Sequence, residues 1–124
     1  MVYLQDVMAT SLDLAGVAKP AYVEFNSLMP YIKNKDAAGA YDLIYGCYLE
    51  KQRMVRDGDY KLILYPEAKA YRLYNINKDP HEKTDLAGNP EQMKRIKKLF
   101  KKLKGLQKEF DDSLDLRSAF PDLE

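Results

Sequence analysis

Apolar and polar positions recur at helical spacing near both ends of the chain and in shorter, strand-like runs between them. Over residues 90–110, Met93, Ile96, Leu99, Phe100, Leu103, Leu106 and Phe110 follow at intervals of mostly three and four, the signature of an amphipathic helix whose apolar face lies on a core. Asn89 suits the N-cap and Pro90 the first helical position, and Gln92 completes a capping-box-like pattern. Near the N-terminus, Leu4, Val7, Met8, Leu12 and Ala15 predict a short helix over 6–15, with Asp6 at its N-cap and Gly16 in the left-handed position after its last turn. That stripe is expected to be core. Between this helix and the first strand, residues 17–40 read as a long irregular loop broken by Pro20, Pro30 and Gly39, with at most one helical turn over 27–32.

The middle of the chain reads as strands. Residues 41–49 are rich in tyrosine and branched side chains, with Gly46 marking a bulge or a close approach. Two β-prone runs flank Asp57-Gly58, the dipeptide a type I′ hairpin favours because both of its central residues need positive φ. A two-residue turn there would pair Arg56 with Asp59, Val55 with Tyr60, and Arg53 with Leu62. Val55, Tyr60, Leu62 and Leu64 then share the better core face, and Arg53 is its charged intruder. Arg53 either snorkels at a strand end or pairs with an acid, or it meets a ligand. Pro66–Lys69 is a turn and Ala70–Ile76 a further strand. The predicted fold is α+β: a four-stranded antiparallel sheet with a long C-terminal helix packed on it, plus the short N-terminal helix and irregular loop. The whole of 1–124 is read as one domain, with helix and loop over 1–40, sheet over 41–76, helix over 90–110 and an acidic tail over 111–124.

Composition narrows the chemistry. A chain of 124 residues buries roughly 65% of its unfolded surface, enough for one core. With 20 basic against 19 acidic side chains, net charge points to no partner, and neither nucleic acid nor a membrane is expected as one. No run of 18 apolar residues is present, so no membrane-spanning helix is expected. The single cysteine, Cys47, excludes an internal disulfide and a multi-cysteine metal site; inside its apolar strand it reads as a small buried hydrophobe. The single histidine, His81, sits in the turn-rich connector 77–89 with no nucleophile beside it and reads as a solvent-exposed loop residue. The chain has no glycine-rich phosphate loop, no His-Glu-x-x-His and no EF-hand loop, and its carboxylates are dispersed. Charge is patterned rather than abundant. Lys94, Arg95, Lys97, Lys98, Lys101, Lys102, Lys104 and Lys108 make the outer face of helix 90–110 basic, and Asp111, Asp112, Asp115, Asp122 and Glu124 answer it from the tail.

Several segments, in order, resemble the C-terminal part of type I, formylglycine-dependent sulfatases of the alkaline-phosphatase-like superfamily. Residues 6–16, Asp-Val-Met-Ala-Thr-Ser-Leu-Asp-Leu-Ala-Gly, are similar to that family's Asp-Ile-x-Pro-Thr-Leu-Leu-x-Leu-Ala-Gly, and residues 26–32 to its Gly-x-Ser-Leu-x-Pro-Leu-Leu. Residues 53–63 resemble Arg-x-Val-Arg-x-Gly-x-Tyr-Lys-Leu-Ile, and residues 73–87 resemble Leu-Tyr-Asp-Leu-x-x-Asp-Pro-x-Glu-x-x-Asn-Leu-Ala. The match covers about residues 5–110. Ala9 stands in place of the family's proline, Glu24-Phe25 in place of Asp-Gly, and Asp85 in place of a common asparagine.

The resemblance implies an accessory subdomain of a sulfuric ester hydrolase that helps to shape the cleft of its parent, which acts on a sulfated sugar. Calcium and the formylglycine nucleophile are expected upstream in the parent, because Cys47-Tyr48-Leu49-Glu50-Lys51 lacks the proline and arginine of Cys/Ser-x-Pro-x-Arg. This chain alone is therefore expected to be inactive, with no catalytic and no metal residue of its own. Its partner would be the parent's catalytic domain, and the parent would be periplasmic, secreted or lysosomal. An apolar face left uncovered in the isolated chain would favour self-association. The residues expected to touch substrate are Lys51, Gln52 and Arg53, at the entrance to the hairpin, where cations would meet a sulfated or acidic sugar. The reading from a different class is a stand-alone anion-binding or protein-interaction module that uses the basic face of helix 90–110.

Overall fold

The computed structural model describes residues 1–34, 36–37 and 39–124; Lys35 and Ala38, within the loop expected over 17–40, lie outside the described residues. The chain divides into two compact units, Met1–Ile44 and Tyr45–Glu124.

In the first unit, helix α1 spans Asp6–Leu14 and a short α2 spans Met29–Lys33. Gly16, at φ +67°, ends α1 as expected. Its N–H donates to the Asp13 carbonyl at 3.1 Å and the Val17 N–H to the Leu12 carbonyl at 2.9 Å, the two bonds of a Schellman motif. Asp6 is the first helical residue rather than the N-cap, and it is fully buried. Its carboxylate accepts from the Tyr3 N–H at 2.7 Å, the Asn26 N–H at 3.2 Å and the Tyr41 hydroxyl at 2.6 Å. Thr10, one turn on, donates its hydroxyl to the Asp6 carbonyl and accepts from the Leu28 N–H at 2.8 Å. The inward face of α1 is thus Asp6, Ala9 and Thr10. The apolar stripe expected in the core is largely outside, with Leu4 85%, Val7 52% and Met8 55% exposed. A polar hub draws the irregular loop onto α1 through backbone hydrogen bonds, and that turns the apolar positions outward.

The four strands, β1 (Leu43–Tyr48), β2 (Gln52–Asp57), β3 (Tyr60–Tyr65) and β4 (Ala70–Asn75), lie in the order β1-β2-β3-β4. The pairs β2–β3 and β3–β4 are antiparallel. The central hairpin pairs Asp57 with Tyr60, Val55 with Leu62 and Arg53 with Leu64. The turn residues are therefore Gly58-Asp59, not Asp57-Gly58, and of the two only Gly58 has positive φ (+55°), as a type II′ turn requires. Because the register moves by two residues, each side chain keeps its face. Val55, Leu62 and Leu64 are fully buried, as is Leu73, directly across from Leu62.

Helix α3 (Met93–Glu109) covers this face against β2 and β3. It is preceded by a 3₁₀ turn, Pro90–Gln92, whose start is capped by the Asn89 side chain accepting from the Glu91 N–H at 3.0 Å. No capping box closes: the Gln92 side chain accepts from Arg95 instead. Ile96, Leu99, Phe100, Leu103 and Leu106 are buried as the spacing predicts. Each such side chain contributes about 1.5–3 kcal/mol. Met93 is half-buried, and Phe110 is the exposed exception. It is 40% exposed where the helix ends, stacked on Tyr45 at a centroid distance of 5.4 Å.

Beyond α3, residues 111–124 are more than an acidic tail. They form α4 (Leu116–Ala119) and a 3₁₀ turn, Pro121–Leu123, and they bury Leu116, Phe120 and Leu123. Phe120 packs edge-on against Phe100 and Tyr71. The spacing 116, 120, 123 is itself helical, a signal masked in the sequence by the surrounding acids.

The connector between β4 and α3 is held by the residues that carry the family resemblance. Asp85 accepts from the N–H of Leu73 at 3.0 Å and of Ala87 at 2.9 Å, and the Leu86 N–H donates to the Leu73 carbonyl at 2.8 Å, so the outer edge of β4 is covered. An asparagine oxygen would accept the same two bonds, which accounts for Asp85 standing in its place. Glu82 receives Lys61 through both carboxylate oxygens, at 2.7 and 2.8 Å.

Candidate functional site

The hairpin joining β1 to β2 presents the residues singled out in the sequence. Its loop is Leu49-Glu50-Lys51, closed by the Lys51 N–H donating to the Tyr48 carbonyl at 3.1 Å, with Leu49 at φ +46°. Tyr48 is 62% and Leu49 68% exposed, and Glu50 and Lys51 are exposed beside them. Gln52 is half-buried at the first position of β2. This tip sets a phenol, an aliphatic side chain and an ammonium side by side in solvent.

Beneath the tip lies Arg53, 6% exposed. Its Nε and Nη2 donate to the two oxygens of Asp112, and Nη1 donates to the carbonyls of Leu49 and, at 2.8 Å, Gln52. The guanidinium therefore ties the loop backbone to the segment after α3, and four of its five N–H groups are taken within the chain. Asp112 also accepts from the Tyr45 hydroxyl, the Leu114 N–H at 3.2 Å and the Gln107 amide at 3.3 Å. Gln107 is buried, and it also donates to the Leu114 carbonyl. The hydrogen bonds from Arg53, then those from Tyr45, Leu114 and Gln107, hold the Asp112 carboxyl far below the usual carboxylate range. Burial, followed by the bond to Asp112, pushes the Tyr45 phenol well above its ordinary value. At neutral pH the cluster is thus a guanidinium, a carboxylate and a neutral phenol.

Of the three candidates, Lys51 and Gln52 present side chains at the tip, and Arg53 lies behind them with its charge matched by Asp112. Tyr45 and Gln107 were not singled out in the sequence, and Asp112 was named only among the tail acids expected to answer the basic helix, whereas it pairs with Arg53. No local motif joins them, and only the return of the chain after α3 brings them to Arg53. Cys47 is exposed on β1, contrary to the buried position expected of it, because it lies on the outer end of an edge strand. His81 is exposed in the connector, as expected. Among the described residues, no group of three or more histidine, cysteine, aspartate or glutamate side chains is placed to hold a metal ion, and no helix is long and apolar enough to cross a membrane.

The fold has solved counterparts. BT4656, in complex with its substrate D-glucosamine-2-N,6-O-disulfate, matches with a TM-score of 0.75 at 29% identity, over 90% of this chain and 25% of that one. BT1596, a 2-O glycosaminoglycan sulfatase, matches with a TM-score of 0.74 at 30% identity, over 91% of this chain and 26% of that one. An N-acetylglucosamine-6-O-sulfatase of Bacteroides thetaiotaomicron is 30% identical over 119 residues, 87% of this chain and 21% of the relative. The chain thus spans about a fifth to a quarter of the length of these relatives. Residues 1–109 match the family model for the C-terminal region of N-sulphoglucosamine sulphohydrolase, and the chain belongs to that C-terminal sulfatase family.

Proposed function

We propose that this chain is the C-terminal subdomain of a sulfatase that hydrolyses a sulfate ester on a sulfated amino sugar, and that the β1–β2 tip forms one wall of the substrate cleft. The observation that carries the reading is the family match, joined to a tip whose exposed face combines Tyr48, Leu49 and Lys51 on a buried guanidinium anchor. Lys51 supplies an exposed cation for a sulfo or carboxylate group, and Gln52 a hydrogen-bonding amide. Arg53 holds the loop in place through the Leu49 and Gln52 carbonyls and offers the substrate its remaining N–H at most.

Calcium and the formylglycine nucleophile would reside in the parent's catalytic domain. The described residues of this chain supply neither the donor set for the metal nor the Cys/Ser-x-Pro-x-Arg sequence for the aldehyde. The exposed apolar side chains on and just before α1, Leu4, Val7, Met8 and Leu14, would be covered by that domain.

The test uses the full-length polypeptide and sulfate release from sulfated glucosamines. Lys51→Ala is expected to lower kcat/KM about tenfold, the worth of one charge-assisted hydrogen bond, and Gln52→Ala by less. Full activity in the double variant rules out the cleft role, and no sulfate release by the unmodified protein rules out the enzyme.

A further inference from the structure

The basic face of α3 is not neutralised by the acids near it. On a helical wheel Lys102 and Lys104 lie on opposite flanks of that face. Lys102 pairs with Asp57 of the hairpin, and Lys104 pairs with Glu124 at the chain's end. Two further tail acids are engaged elsewhere. Asp112 is held by Arg53, and Asp115 caps α4 by accepting from the N–H groups of Arg117 and Ser118. Between the two paired flanks runs a crest of Lys94, Lys98, Lys101 and Lys108, all exposed and none in an ion pair among the described residues. At 1.5 Å per residue the crest is about 21 Å long and occupies a stripe about 80° wide.

Two features suit this crest to a chain-like anion. Gly105 lies on it between Lys101 and Lys108, and a Cβ there would meet nothing within 4 Å. Neither packing nor a positive φ calls for glycine at that place, and its absence of a side chain leaves a notch in the crest. At the other end, Lys94 and Lys98 border a cleft of about 340 Å³, together with Tyr60, Arg95, Asp57 and Glu91. The Arg95 guanidinium lies 3.6 Å from the Tyr60 ring centroid, which makes one wall of the cleft flat and cationic. Asp57 is already matched by Lys102, leaving Glu91 as the cleft's uncompensated acid.

We infer that this crest is an auxiliary binding surface for a linear sulfated polysaccharide, separate from the β1–β2 tip. The inference rests on the sulfatase reading for the choice of polyanion, since sulfo groups on sugars are the anions that reading brings to the protein. The crest supplies a row of ammonium groups for sulfo and carboxylate groups, and the cleft seats one of them at Lys94 and Lys98. A row of lysines without exposed aromatic side chains between them lacks the stacking platforms that single-stranded nucleic acids use. Binding of this kind is largely counterion release, so it weakens steeply with salt.

The test is retention of the full-length protein on immobilised heparin across a salt gradient. It compares the unmodified protein with Lys94→Gln/Lys98→Gln/Lys101→Gln/Lys108→Gln. A control with the same charge change, Lys33→Gln/Lys69→Gln/Lys78→Gln/Lys83→Gln, replaces exposed lysines elsewhere. Glutamine keeps helix propensity, and circular dichroism checks that both variants fold. The crest variant is expected to lose affinity roughly tenfold or more and to show a shallower salt dependence, while the control moves little. Equal retention of crest variant and control overturns the proposal, as does tighter binding of the unmodified protein to duplex DNA than to heparin at the same salt. Sulfate release from a monosaccharide by the unmodified protein is scored separately. Its absence overturns the sulfatase reading, whereas unchanged retention of the crest variant beside normal sulfate release overturns this surface alone.

Discussion

Arg53 and Asp112 stand 59 residues apart in the chain and meet through a two-pronged ion pair at side-chain exposures of 7% and 14%. That pair fastens the start of β2 to the segment after α3. It also leaves Asp112 as the shared acceptor for Tyr45, Gln107 and the Leu114 backbone. Removing one partner would strand the other charge in a mostly buried place. Asp112→Ala is therefore expected to destabilise the fold by about 3 kcal/mol or more, read as a lower urea midpoint. Tyr45→Phe, which removes only the phenolic hydroxyl, should cost about 1 kcal/mol. A fall of less than 0.5 kcal/mol for Asp112→Ala would show that the pair does not bind the two segments together.

The same carboxylate makes stability depend on acid. Its folded pKa lies far below the unfolded value of about 3.9. Its contribution is therefore complete above the unfolded value and is lost progressively as pH falls toward the folded one. Urea midpoints of the unmodified protein should thus drop between about pH 5 and pH 2 more steeply than those of Asp112→Asn. Parallel pH profiles for the two proteins would contradict this assignment.

Two glycines are expected to respond in opposite directions. Gly58 has φ +55° at the hairpin turn, where an L side chain costs about 1–2 kcal/mol, so Gly58→Ala should lower the thermal midpoint. Gly105 sits in the middle of α3 with open space around its missing Cβ. Gly105→Ala should therefore raise stability by about 0.5–1 kcal/mol. If Gly58→Ala proved neutral, the turn would not be centred on Gly58-Asp59.

The exposed stripe of α1 gives a prediction for the 124-residue chain on its own. With Leu4, Val7 and Met8 each more than half exposed, it should bind a hydrophobic dye and self-associate with rising concentration. Leu4→Gln/Met8→Gln should weaken both. Sedimentation as a monomer at all concentrations, with no dye fluorescence, would count against an apolar docking face.

Within the amino-acid sequence, the type and order of the elements were legible because each is set by neighbours a few positions away. The three- and four-residue spacing from Ile96 to Leu106, the left-handed Gly16, and the alternation that puts Val55, Leu62 and Leu64 on one face all appear in the fold as read. Even the two-residue error in hairpin register did no harm to the faces, since strand side chains alternate with period two. What only the tertiary structure decided were pairings between distant segments. Nothing near Arg53 announces Asp112, because the pair depends on where α3 stops and how the chain turns back. The outward turn of Leu4, Val7 and Met8 depends on Asp6 collecting the N–H of Asn26 and the hydroxyl of Tyr41. The lysine crest was visible as eight basic residues in one helix, but the ones left unmatched could be known only after Asp57 and Glu124 had taken theirs. Periodicity is a local property of the chain, and charge matching is a property of the folded surface.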